Sequence, residues 1–122
     1  MTWVYQQSTG ELTKDGRLIA KGYSGKGAGK NNPALEGTPS IGPLPTGDYS
    51  IIGHPFHHPH TGIFSMRLFP NPRNRMFGRS GFLIHGDSVK HPGSASDGCI
   101  ILPLPVRQRL WSSGDRSIEV VK

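Results

Sequence analysis

Glycine and proline interrupt this chain so often that few long regular elements fit between them: 17 Gly and 11 Pro stand in 122 residues. Strands of about 5 residues joined by turns suit such punctuation, whereas helices need longer uninterrupted runs. Residues 3–7, 11–14 and 17–21 read as a meander turned at Ser8-Thr9-Gly10 and Asp15-Gly16, and Asp-Gly is a strong hairpin signal. Residues 48–53 and 63–69 follow as strands, the second alternating Phe64, Met66 and Leu68 with Ser65 and Arg67. A short apolar strand at Phe82-Leu83-Ile84 and a closing strand at 117–121 complete a mainly β pattern. Pro105 suits the first turn of one short C-terminal helix running to about Trp111 and ended by Ser112-Ser113-Gly114. Residues 22–46, rich in Gly and Pro, read as a long ordered loop or lid. With 122 residues, no internal repeat and no linker, the chain is expected to be one domain, residues 1–122.

The lone cysteine, Cys99, lies 14 positions after His85. A thiolate attacks and a thiol does not; a free thiol with a pKa near ~8.5 is mostly protonated at neutral pH, so a reactive Cys needs a base or a cation nearby. His85 closes the apolar run 82–84 and would emerge with Gly86 at a strand end, where scaffolds present functional groups. Residues 87–97 have loop composition, with Pro92, Gly93, Ser94 and Ser96, and can bring Cys99 back towards His85. Gly98 allows close backbone approach beside the thiol, and backbone N–H groups near Cys99 could form an oxyanion hole. An inert buried cysteine also fits a thiol followed by Ile100, Ile101 and Leu102. A papain-like site does not, because there the Cys usually precedes its His and no His follows Cys99.

His85-Gly86, a short loop and then Ser96-Asp97-Gly98-Cys99-Ile100 resembles the catalytic signature of L,D-transpeptidases of the YkuD type, a His followed by Ser/Thr-His-Gly-Cys and a hydrophobic residue. Upstream, Pro45-Thr46-Gly47-Asp48-Tyr49 is similar to that family's Thr-Pro-x-Gly-x-aromatic motif, and the tail after Cys99 is similar to its closing helix and strand; together these cover about two thirds of the chain. The opening, from Thr2-Trp3-Val4-Tyr5 through Gly22-Tyr23-Ser24-Gly25 to Asn31-Asn32-Pro33, resembles a compact branch of type VI secretion effectors that attack peptidoglycan peptides in the periplasm of rival bacteria.

The resemblance implies an L,D-transpeptidase-like β-sandwich with Cys99 as nucleophile, His85 as base and the Gly86 carbonyl orienting the imidazole. Ser96, Gly98, Asp97 and Ser94 would support the loop or bind substrate, with no cofactor. The substrate would be a peptidoglycan tetrapeptide stem, trimmed by L,D-carboxypeptidase action or given a new terminal D-amino acid. A cognate immunity protein and a secretion apparatus component would be partners. Asp97 stands where the general family has His, and Ile101 where it often has Asn or Arg. With the short His-to-Cys loop, these departures fit hydrolysis or exchange better than crosslinking of two stems. A non-catalytic peptidoglycan-binding module is the alternative from another class.

Formal net charge is +6, with Arg67, Arg73, Arg75 and Arg79 concentrated in one stretch. It reads as a solvated basic loop or an attraction to anionic wall polymers, and no nucleic-acid-binding motif accompanies it. His54, His57, His58 and His60, with His91 and Cys99, are the only crowd of possible metal ligands, but Pro55 and Pro59 are expected to break the segment into a loop of exposed imidazoles, one of them lining a groove; no metal is expected. One cysteine forbids an internal disulfide. No apolar stretch approaches the ~20 residues of a membrane span, and residues 1–5 lack the charged and apolar regions of a Sec leader. The expectation is a protein made in the cytoplasm, secreted by another route and active in the target-cell periplasm.

Overall fold

The computed structural model describes residues 2–122; Met1, the first residue of the segment read for a leader, lies outside them. Among the described residues nine strands and one α-helix form: β1 (Trp3–Gln6), β2 (Glu11–Lys14), β3 (Arg17–Lys21), β4 (Tyr23–Ser24), β5 (Gly47–His58), β6 (Gly62–Pro70), β7 (Leu83–His85), β8 (Ile100–Ile101), α1 (Leu104–Ser112) and β9 (Ser117–Val121). The fold is mainly β with a short helix near the C-terminus, as the turn-rich sequence implies. All nine strands join one hydrogen-bonded sheet in the order β3-β2-β1-β9-β5-β6-β7-β8-β4. Leu12 from one end of that sheet and Ile100 from the other belong to the same apolar cluster, so the sheet wraps around a common core.

Local chemistry explains most of these elements. Asp15 and Gly16, at φ 53° and 74°, both take the left-handed conformation that a tight hairpin between β2 and β3 requires. Pro103 precedes α1, Pro105 occupies its first turn where no intrahelical N–H is needed, and Gly114 at φ 77° follows its end. Strand β5 runs on to His58, past the Gly53 where a strand end was expected and past the Pro55 expected to break it. The ladder to β6 shifts register between Ile52 and Phe56, and Gly53 sits at φ 70°, so Pro55 falls in a bulge where its missing N–H costs no ladder bond.

Residues 22–46 are a strap rather than a free loop. β4 and two short 3₁₀ turns, Gly27–Gly29 and Pro33–Leu35, lie within it. Buried Gln7 donates from Nε2 to the Leu44 carbonyl at 2.8 Å and to Glu36 at 3.2 Å, tying the strap to the end of β1. Glu36 also accepts from the Thr46 N–H at 2.8 Å.

Leu12 is fully buried, whereas Leu18 on the neighbouring strand is 57% exposed. Leu12→Ala should lower unfolding free energy by about 2–5 kcal/mol, and Leu18→Ala should change it by no more than about 0.5 kcal/mol; urea denaturation of both variants checks the contrast.

Candidate active site

Two strands unlike in origin build the site. β7 pairs parallel with β8, Ile84 opposite Ile100 and His85 opposite Ile101. Side chains alternate along a strand, so with Ile84 and Ile100 both turned into the core, His85 and Cys99 share the opposite parity and the same sheet face. Both line one cleft of about 600 Å³, together with His60, Thr61, Gly86, Asp87, His91, Ser94 and Asp97.

The imidazole of His85 is buried, 3% exposed, and its Nδ1 lies 2.8 Å from the Gly86 carbonyl. A carbonyl can only accept, so Nδ1 carries the proton and Nε2 is left as the basic nitrogen. Burial pushes the pKa of His85 below its ordinary value; the Gly86 bond works against that, while Arg107 and His58 add to it. Cys99 is half-buried and accepts a hydrogen bond on Sγ from the Leu83 N–H at 3.3 Å. Burial raises its pKa above the ordinary thiol value, the Leu83 N–H and Arg79 oppose the rise, and Asp97 adds to it. At neutral pH the pair therefore rests as thiol and neutral imidazole.

The polypeptide around Cys99 is held by buried hydroxyls. Ser96 Oγ accepts from the Gly25 N–H at 2.8 Å and the Gly98 N–H at 3.1 Å, and donates to the Cys99 carbonyl at 2.6 Å. The Gly98 N–H is thereby engaged and does not face an acyl oxygen. Ser24 repeats the device, donating to the Gly98 carbonyl at 2.9 Å and accepting from the Leu44 N–H at 2.8 Å. Gly98 has to be glycine: at φ 133°, a Cβ there would run into the Arg79 guanidinium and Phe82. Ser94 lies at the cleft surface and donates to the His91 carbonyl at 2.6 Å; the Asp97 side chain is exposed and paired with Lys26 at 2.8 Å.

Several residues that organise this site carry no outward sign of it in the sequence. Arg79 belongs to the basic stretch expected to be solvated, yet it is 9% exposed. Its Nη1 donates to the carbonyls of Glu36 and Pro43, and its Nη2 to those of Gly42 and Asp97 at 3.0 Å each. It thus joins the strap to the residue two before the thiol. Tyr23 donates to Asp87 and accepts from the Ala95 N–H at 2.9 Å, bridging the two ends of the 87–95 loop; burial, then the Asp87 bond, push its pKa up to about 12. Asp87 also accepts from the Ser88 and Gly93 N–H groups. Of the histidines in the Pro-flanked stretch, His60 reaches the cleft, His54 stacks edge-on against Trp111, and His58 accepts through Nδ1 from the His60 and Thr61 N–H groups of its own turn. Among the described residues no three His, Cys, Asp or Glu side chains come together as a metal would require.

Fold and site define a class: a mainly β protein whose parallel strand pair sets a thiol and a tautomerically fixed imidazole in one cleft. The family model described as Tlde1 domain matches residues 19–116, a span that holds both site residues and the whole strap. The chain belongs to the Tlde1 domain family, a type VI secretion effector family whose domain is L,D-transpeptidase-like. No curated protein and no solved structure matches the chain. Among the described residues no helix is long and apolar enough to cross a membrane.

Two outcomes follow for the free protein. Iodoacetamide should alkylate Cys99 with a rate that rises through a midpoint above the ordinary thiol value of about 8.5, read by mass spectrometry across a pH series. Ser96→Ala strands the Gly25 and Gly98 N–H groups, both buried, and should cost about 1–3 kcal/mol per stranded group in a denaturant titration.

Proposed function

We propose that this chain is a peptidoglycan-directed cysteine acyltransferase of the L,D-transpeptidase type, which trims or exchanges the terminal D-residue of tetrapeptide stems. The observation that carries the reading is the fixed tautomer of His85 in the cleft that also holds Cys99: a neutral imidazole with Nε2 free is what a thiol needs to lose its proton. Membership of a secretion effector family supports a target outside the producing cell.

The steps use these groups in turn. Nε2 of His85 takes the proton of Cys99, and the thiolate attacks the carbonyl at the L-centre of meso-diaminopimelate. The tetrahedral adduct collapses as the imidazolium gives its proton to the nitrogen of the departing D-alanine, which leaves a thioester on Cys99. Water, or the amine of a free D-amino acid, then attacks the thioester while His85 again accepts a proton; the C–S bond breaks and the imidazolium returns that proton to the departing Cys99 sulfur. The Leu83 N–H, 3.3 Å from Sγ, stabilises the sulfur when it carries charge. Ser96 and Gly98 hold the segment that presents the thiol, and Ser94 and Asp97 lie where a stem would enter. Ile101 puts an apolar, buried side chain at the position where the general family often carries Asn or Arg. That favours a small acceptor, water or a free D-amino acid, over a second stem. The setting would be the periplasm of a target cell, with a cognate immunity protein in the producer and a secretion apparatus component as carrier.

Purified tetrapeptide muropeptides incubated with and without D-methionine should lose D-alanine or exchange it with the wild type only. Cys99→Ala should leave no turnover, and His85→Ala should slow it by about 10²–10⁴-fold, both with native circular dichroism. Unaltered muropeptides that still bind both wild type and Cys99→Ala would replace an enzyme with a wall-binding module. Because burial lowers the pKa of His85 and the base works unprotonated, kcat/KM should hold as pH falls to the ordinary histidine value of about 6.5 and decline only below it.

A further inference from the structure

Arg107 is a charged residue on a nine-residue helix, yet only 5% of it is exposed. Its Nε donates to the Leu102 carbonyl at 3.0 Å, and its Nη1 to the carbonyls of Ile63 at 2.8 Å and Phe64 at 3.2 Å. Leu102 follows β8, while Ile63 and Phe64 open β6, so one guanidinium joins the helix to strands on either side of His85. Phe64 sits at φ 54°, a left-handed conformation that a bulky residue holds only when its surroundings impose it. The remaining nitrogen, Nη2, lies against Gly86 so closely that a Cβ there would come within 2.6 Å of it. The Gly86 carbonyl is the group that accepts the hydrogen bond from His85 Nδ1–H.

We propose that Arg107 is a positioning residue acting through Gly86 on His85: it fixes the backbone that sets the imidazole tautomer and stands behind the ring as a permanent positive charge. The proposal rests on His85 being the base of the reaction above. A guanidinium keeps its charge even when buried, and a cation at this place opposes formation of a second cation on the ring. Arg107 works in that direction on His85, next to the larger effect of burial. The other charged or titratable groups acting on the ring are His58 of β5, in the same sense, and Asp87 of the following loop, which opposes it; Cys99, His60, His91 and Asp97 line the same cleft. A destabilised imidazolium is a stronger acid, so the proton taken from Cys99 is handed on readily to the leaving amine.

A buried arginine that merely ties a helix to a hairpin would influence stability alone. The two roles separate in the free protein, with no turnover needed. The ¹⁵N signals of the His85 ring, followed through a pH titration, report both the tautomer and the protonation midpoint. Arg107→Met, which keeps bulk and removes the charge, should move the midpoint to higher pH and mix the two tautomers. Arg107→Lys keeps a charge without the fork, so it should hold the midpoint nearer the wild type while still mixing the tautomers. A folded Arg107→Met with the wild-type midpoint and a single tautomer would overturn the proposal. Should the methionine variant fail to fold, unchanged ring signals in Arg107→Lys would overturn it equally. Shifted ring signals in a protein that leaves muropeptides intact would uphold the role of Arg107 and count against the catalytic reading instead.

Discussion

The site depends on the parallel pairing of β7 with β8. Ile84 and Ile100, opposite one another and fully buried, anchor a register that leaves His85 and Cys99 on the cleft side. A slip of β8 by one residue would turn Cys99 to the core side and take Ile100 out of the core cluster, and a slip of β7 would do the same to His85 and Ile84, so the hydrophobic term defends the placement of the polar pair. Parallel neighbours cannot be joined by a tight hairpin; they need a crossover of about a dozen residues or more. Residues 86–99 supply it without a helix. The strap therefore does the work that a packed helix does elsewhere, with Ser24, Ser96, Tyr23 and Arg79 supplying hydrogen bonds in place of an apolar face.

Charge is arranged in a way that the net value conceals. The chain carries +6, yet among the described residues no lysine or arginine lines the cleft. The two cations whose charge acts on the pair, Arg79 on Cys99 and Arg107 on His85, are buried with their donors on backbone carbonyls. Arg79 favours the thiolate and Arg107 disfavours the imidazolium. Neither is free to grip a substrate carboxylate. Electrostatics here acts on the pair from buried charges rather than from the cleft surface.

The sequence discloses this architecture unevenly, for physical reasons. Asp15-Gly16 and Pro105 announce the β2–β3 turn and the start of α1 because each satisfies a local backbone requirement that few residues meet. His85 at the end of an apolar run is legible for the same reason, since a strand end is a local event. β4 and β8 are not legible: two residues each cannot show alternation, and they exist only because the strap and the crossover bring them to one end of the sheet. Pro55 misleads because the bulge that accommodates it depends on the partner strand. Arg79 misleads most, and Arg107 draws no reading at all. A guanidinium in a basic run or on a short helix looks solvated unless one knows which carbonyls the fold leaves without partners.

On the proposed function, the burial that raises the pKa of Cys99 slows it as a nucleophile and also protects it. Oxidants, like acyl groups, react with the thiolate, and a pair resting as thiol and neutral imidazole exposes little thiolate to either. An enzyme with its thiolate already formed would meet the oxidising space beyond the inner membrane in its most vulnerable state. On the proposed function, the proton leaves Cys99 only as a bound stem is attacked, with His85 in the same cleft to receive it and Arg79 and the Leu83 N–H steadying the sulfur for the moment it is charged. A lone cysteine without a disulfide partner is then compatible with work outside the cytosol, because its reactivity is called up by substrate rather than standing permanently open.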